Sequence, residues 1–235
     1  MLTDGSFSFP RKNIGLEVEL NLVDGQLRPS MTNSVVLEAL DDDAFTTELG
    51  QHNLELNVPP RPLAGDSALH LEEDLHAYLA KAQESAAHTG SSVAMIGILP
   101  TLRAEHFDQK WLSHKTRYSS LNDEIFAARG ERIALAMDGP ALPGGQPERL
   151  RHYAESILPE AACTSVQLHL QVAPEEFAAH WNAAQCLAGV QIALASNSPF
   201  LLGKALWHET RIPLFQQATD TRPEELKNQG VRPRV

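Results

Sequence analysis

The chain is poor in cysteine, in long apolar runs and in positive charge, and each shortage removes a class of function. Only two cysteines, Cys163 and Cys186, occur in 235 residues. Their spacing fits no CxxC zinc or redox motif, and a chain of this size can bury a core without covalent staples. Two unpaired thiols fit a reduced, cytoplasmic setting, which is the expected location. The longest apolar stretch, Val93 to Leu99, is interrupted by Gly97 and too short to span a bilayer. Met1 to Pro10 holds no apolar segment of the signal-peptide type. Lys and Arg number 19 against 30 Asp and Glu, a net charge of −11. Nucleic-acid binders draw affinity from cations that neutralise phosphates, so nucleic acid is not an expected partner, and neither is an anionic membrane surface. Hydrophobic residues at 43% and charged residues at 21% sit near globular averages, which excludes wholesale disorder.

Several catalytic signatures are missing as well. There is no GxxxxGK[ST] phosphate loop and no GxGxxG fingerprint, so a nucleotide has to be held in another way. Without HExxH or GxSxG, zinc-protease and serine-hydrolase chemistry has no local support.

What the chain does have is strand periodicity. Ile14, Leu16, Val18, Leu20 and Leu22 alternate with Gly15, Glu17, Glu19 and Asn21, and the run ends at the turn signal Asp24-Gly25. Leu54, Leu56 and Val58 alternate with Asn53, Glu55 and Asn57 up to Pro59-Pro60. Val166, Leu168, Leu170 and Val172 alternate with Gln167, His169 and Gln171 up to Pro174. Each reads as a half-buried strand, and Val93 to Leu99 reads as a fourth strand buried on both faces. Between them, helices are expected from Asp66 to Thr89, from Ser120 to Arg129 with Gly130 as its stop, and from Pro174 to Ser196. The Gly- and Pro-rich stretch from Met137 to Glu148 reads as a loop, a candidate lid. The expected fold is α+β around one largely antiparallel sheet, in a single domain over 1–235.

The strand pattern also sorts the acid. Glu17 and Glu19, two apart on a strand, point the same way. Glu55 repeats the arrangement on the second strand, and Glu48 lies seven residues before it. The company on these faces is amide rather than lysine, so the carboxylates are under-neutralised. A hard divalent cation such as Mg²⁺ or Mn²⁺ would relieve that, with Gln167 or His169 as a further ligand; the plain alternative is a solvated sheet face. Arg211, beyond the Ser196-Asn197-Ser198-Pro199 segment, could clasp a carboxylate bidentately or form a surface salt bridge.

The strings IGLEVELNLVD (Ile14 to Asp24), FTTELGQHNLELNVPPRPL (Phe45 to Leu63), TSVQLHLQV (Thr164 to Val172) and WNAAQCLAGVQIALASNSPFLLG with its following ETR together resemble the glutamate–cysteine ligase family. The closer likeness is to its bacterial carboxylate–amine ligase branch, of glutamine-synthetase-like fold, which implies that the sheet is curved, with helices packed on one face. The resemblance implies ATP-dependent joining of the glutamate γ-carboxylate to the amino group of cysteine through an acyl phosphate, the first reaction of glutathione biosynthesis. It implies ATP and Mg²⁺ as cofactors, with Mn²⁺ as a substitute, and glutamate, cysteine and ATP as small-molecule partners. By position, Glu17 and Glu19 match the first metal-binding strand, Glu48 and Glu55 the second acidic pair, and Gln167 or His169 a metal ligand. Arg211 and Asn197 match a substrate-binding region. Members of the family run on beyond the position of Val235. The chain is therefore expected to form the N-terminal and central portion of a longer ligase domain, with open strand edges that invite self-association or a missing half. The alternatives are a related ligase with another amino acid and a truncated, non-catalytic domain that binds metal or nucleotide.

Overall fold

Alternation of apolar and polar residues along β1 (Asn13–Val23) makes one side of this strand entirely hydrophobic, and the sheet is built around it. Ile14, Leu16, Val18, Leu20 and Leu22 are all buried. A computed structural model describes residues 12–141 and 145–233. After β1 come α1 (Asn33–Leu40), β2 (Phe45–Thr47), β3 (Asn53–Pro62), α2 (Ser67–His88) and β4 (Ser92–Ala94). Then follow α3 (Thr116–Arg129), β5 (Ile133–Asp138), β6 (Arg149–Ala154), α4 (Leu158–Ala161) and β7 (Val166–Leu170). The remainder is α5 (Phe177–Ala195), β8 (Phe200–Leu201), β9 (Lys204–Ala205), α6 (Arg211–Thr219) and α7 (Glu224–Asn228).

The α+β expectation holds. The main sheet runs β2-β3-β1-β4, with β7 also paired to β1, and all of these pairings are antiparallel. Helices α1 and α2 cover its apolar side, where Val36, Leu40, Leu71, Ala82 and Ala86 close over Leu20, Leu54 and Leu56. Each fully buried leucine contributes about 1.5–3 kcal/mol. A second hydrophobic cluster joins the β5–β6 hairpin to Ile98, Leu102, Leu158 and Leu214.

Four expectations need correction. β3 does not stop at Pro59-Pro60 but continues to Pro62, because a register shift between Ile14 and Leu16 accommodates prolines that cannot donate to the ladder. The strand expected over Val93 to Leu99 is only β4, three residues long and partly exposed. The ladder stops there because side chains take over the backbone groups: Asn21 Nδ2 and Thr164 Oγ1 donate to the Ile96 carbonyl, and Gly97 N–H donates to Asn197 Oδ1 at 3.0 Å. Met137 and Asp138 belong to β5 rather than to a loop, and residues 142–144 of that stretch lie outside the described residues. Finally, β7 is not half-buried: Val166, Leu168 and Leu170 are all exposed, because α1 and α2 do not reach over this outer strand. Helix α5 shares that exposure. None of its 19 residues is buried, and Phe177 and Trp181 stack only on each other at 6.0 Å.

His52, between β2 and β3, is wholly buried with neither ring nitrogen hydrogen-bonded. Its fit is tight, since a Cβ added to Gly50 would lie 2.9 Å from its ring. Burial, with His106 nearby, pushes its pKa down to about 4, so the folded ring is neutral. An unfolded histidine binds a proton near pH 6.5, so stability present above that pH is lost as the pH falls towards 4. We predict that wild type loses about 3 kcal/mol more over this interval than His52→Leu, measured by urea unfolding at pH 7, 5.5 and 4.5.

Candidate functional site

The strand register gathers the predicted residues onto the sheet face opposite the helices. Glu19 stands directly across from Glu55, and Glu17 across from Asn57 on one side and Gln167 on the other. His169 faces Gly15, which leaves its ring room to reach Glu17: Nε2 lies 3.2 Å from Glu17 Oε1. Gln167 Nε2 donates to Glu19 Oε1 at 3.3 Å, and the Ser165 amide donates to Glu19 Oε2 at 2.8 Å. Asn57 Nδ2 donates to Glu55 Oε1 at 2.6 Å.

Above this face lies a cavity of about 770 Å³, whose lining includes Glu19, Glu48, Asn53, Glu160, Gln167 and Arg211. Its floor is an amide relay. Asn53 Nδ2 donates to Asn21 Oδ1, and Asn21 Nδ2 reaches Thr164 Oγ1 at 3.3 Å, which locks β3, β1 and the approach to β7 together. Asn53 Oδ1 is buried and has no partner. Glu17 and His169 line a separate cavity of about 410 Å³ farther along the sheet. The face therefore divides, and of the two candidate third-strand ligands it is Gln167 that stands with Glu19 and Glu48.

The cavity is strongly acid-biased. Burial pushes the Glu48 carboxyl up to about 8, helped by its hydrogen bond with Glu55 and the charge of Glu19. Glu19 is also raised, by burial first, against the opposing donors from Ser165 and Gln167. Glu160, on α4, is pushed up to about 7 by burial and by Glu19. No periodicity marks Glu160 in the sequence; a turn of helix between two strands, anchored by buried Leu158, Pro159 and Ala161, carries it to the cavity wall. Cys163 is driven upward by burial and stays a neutral thiol.

Arg211 is the cation in this lining, and it is already engaged. Its Nε and Nη2 grip Glu209 at 2.5 and 2.7 Å, and Nη1 donates to the Thr164 carbonyl at 2.8 Å. Gly97 makes room for it, since a Cβ there would lie 2.8 Å from the guanidinium. Asn197 accepts from Gly97 N–H and does not line the cavity, so its amide ties the segment after β4 to the end of α5. None of the described residues of 137–148 lines the cavity, so nothing described places the expected lid over it.

Among the described residues no three His, Cys, Asp or Glu side chains converge closely enough to hold a metal ion by themselves. The donor set nevertheless fits Mg²⁺. That ion is commonly held by one or two carboxylates and completed by water and phosphate oxygens, and here are carboxylate oxygens with an unpartnered buried amide oxygen beside them. A bound cation would also remove the reason for Glu48 to keep its proton.

A family model described as Glutamate-cysteine ligase family 2 (GCS2) matches residues 13–229, a span that includes every strand and helix described above. No curated protein matches the chain.

Because the folded pKa of Glu48 is raised, stability present below about pH 4.5 is lost as the pH rises towards 8 when no cation is bound. Glu48→Gln keeps an acceptor for the Leu49 amide and removes that loss. In metal-free buffer at pH 8 the variant should melt higher than wild type by roughly 3 °C or more, with the difference gone near pH 4.5, as read by differential scanning calorimetry.

Proposed function

The chain belongs to glutamate–cysteine ligase family 2, and we propose on that premise that its acidic sheet face serves an ATP-dependent ligation of the glutamate γ-carboxylate to the amino group of cysteine. The observation that carries this reading is the pair Glu19 and Glu48 in the lining of a cavity, with Glu55 opposite Glu19 in the ladder and hydrogen-bonded to Glu48, while the lining cation, Arg211, is taken up by Glu209. Such a site attracts positive charge and repels bare phosphate. That combination suits a nucleotide delivered with metal, and phosphoryl transfer asks for positioning and charge neutralisation rather than a protein nucleophile.

Glu19 and Glu48, with Gln167 beside them and Glu55 hydrogen-bonded to Glu48, are the residues that would hold Mg²⁺, which when bound supplies neutralisation of phosphate charge. In this reading the γ-phosphoryl group passes to the substrate carboxylate, the amine attacks the resulting acyl phosphate, and phosphate leaves. The chain's own part is to fix geometry and limit water. Ser165 and Gln167 hold the Glu19 carboxylate in one orientation. Arg211 is anchored on three sides, which stiffens the wall at the end of α5. Ile212 and Phe215 give the cavity an apolar side, and Glu160, titrating near neutrality, is suited to receive a proton from an incoming ammonium group.

The test is ADP release in the presence of Mg·ATP, glutamate and cysteine. Release that depends on both amino acids supports the proposal, and its absence across a panel of acids and amines sinks it. In parallel, Glu19→Gln and Glu55→Gln should each weaken Mg²⁺-dependent nucleotide binding at least tenfold by calorimetry. Glu17→Gln, whose partner is His169 in the neighbouring cavity, should weaken it less.

A further inference from the structure

A second cavity is lined by arginine rather than by acid. From Glu19 to Asp24 the chain advances roughly 16 Å at about 3.3 Å per residue, then enters a tight turn. There, a cavity of about 820 Å³ opens between this turn, residues 100–104, β6 and the β8–β9 connection. Its lining contains Arg28, Arg103 and Arg151 and no Asp or Glu, in a chain whose net charge is −11. The volume falls within the range of small-molecule sites.

The three arginines come from separate segments, and two are held in place. Asp24 fixes Arg28 through Nε at 3.0 Å and Nη2 at 2.9 Å, and Nη1 has no partner among the described residues. Arg151 donates to Asp138 Oδ1 at 2.7 Å and to the Met137 and Leu150 carbonyls at 3.1 and 2.7 Å. Arg103, at the start of the 103–107 turn, carries no ion pair among the described residues. His152 completes the lining from β6. It packs against Phe107 at 6.3 Å, and burial lowers its pKa, so it adds a hydrogen-bonding ring rather than fixed charge.

Two tight turns border the same place. Leu27, Asp41 and Leu202 are the described non-glycine residues with positive φ. Asp41 is a helix C-cap, where that conformation is ordinary. Leu202 (φ 49) lines the cavity, and Leu27 (φ 58) sits between its lining residues Gln26 and Arg28. Leu202 and Gly203 form the two-residue β8–β9 turn, and the Leu27 amide donates to the Asp24 carbonyl within the turn after β1, so positive φ is ordinary at both; Thr101 Oγ1 ties the Leu27 carbonyl to the cavity wall.

We infer that this cavity is a binding site for a small molecule bearing two or more linked phosphate groups, gripped by Arg28, Arg103 and Arg151. Arg103 offers a whole guanidinium fork to one phosphate, while Arg28 and Arg151, oriented by Asp24 and Asp138, offer only their remaining donors; donors from three segments match a chain of phosphates better than a single carboxylate. The site shares no lining residue with the acidic cavity and asks for no metal, so it stands apart from the ligase reading.

Titration calorimetry with sodium tripolyphosphate, on the full chain in buffer stripped of divalent cations, tests the inference. One saturable site per chain is expected, weakened by added NaCl. Arg103→Gln, an exposed change with no native ion pair to break, should weaken binding at least tenfold, and Glu55→Gln should leave it within twofold. No saturable binding by wild type, or an Arg103→Gln affinity within twofold of wild type, overturns the site. Loss of binding in Glu55→Gln instead overturns it by assigning the phosphate to the acidic face. Tricarballylate, with three carboxylates, should bind at least tenfold more weakly than tripolyphosphate; equal affinity overturns the phosphate assignment.

Discussion

Everything at the acidic face depends on the register that sets Glu19 opposite Glu55. Side chains directly opposed on an antiparallel pair lie about 5 Å apart, where two carboxylates repel by about 1 kcal/mol in water and several times more when half-buried. The register persists because the other side of the same strands carries Leu20 against Leu54, Val18 against Leu56 and Leu16 against Val58. A slip of one residue would turn all of these out of the core. The burial of some six apolar side chains at about 1.5–3 kcal/mol each outweighs the repulsion. Hydrophobic packing on one face thus holds the carboxylates together on the other, and Glu48 responds by keeping a proton beyond its ordinary range.

The molecule separates charge along a single strand. Near its middle, β1 contributes Glu17 and Glu19 to an acidic face, while the turn that follows it contributes Arg28 to a cavity with no acidic lining. The net charge of −11 averages over both and describes neither. Arg211 and Arg28 show the same device at the two ends. Each is paired with an acid a few residues away in the chain, Glu209 and Asp24 respectively, so that its position is fixed at the cost of part of its donor capacity.

The parts of the fold and site visible in the sequence were those set by period-two alternation. That signal located β1 and the core of β3, and it placed Glu17, Glu19, Glu55, Gln167 and His169 on one face because backbone pleating alone decides the side. It failed where burial has another origin. Ile98 and Leu99 are apolar because they enter the second core cluster, not because they extend a strand. The β5–β6 hairpin escaped notice because the glycines and prolines of its connection mask the strand end at Met137 and Asp138. The isolation of His52, the engagement of Arg211 by Glu209 and the arrival of Glu160 at the cavity wall all arise from tertiary placement and leave no trace in spacing.

The pairing of β1 with β7 also fixes an order of events. Glu19 meets Glu55 across a short stretch of chain, but its donors Ser165 and Gln167 lie 146 and 148 residues away in sequence. Closing the longer loop costs roughly 1 kcal/mol more in chain entropy, and such distant pairings form late. During folding the two carboxylates therefore confront each other before their amide donors arrive. The acidic face gains its amide donors only when β7 docks on β1, so slow amide exchange at Ser165 would report that the whole sheet, and not only its local half, has closed.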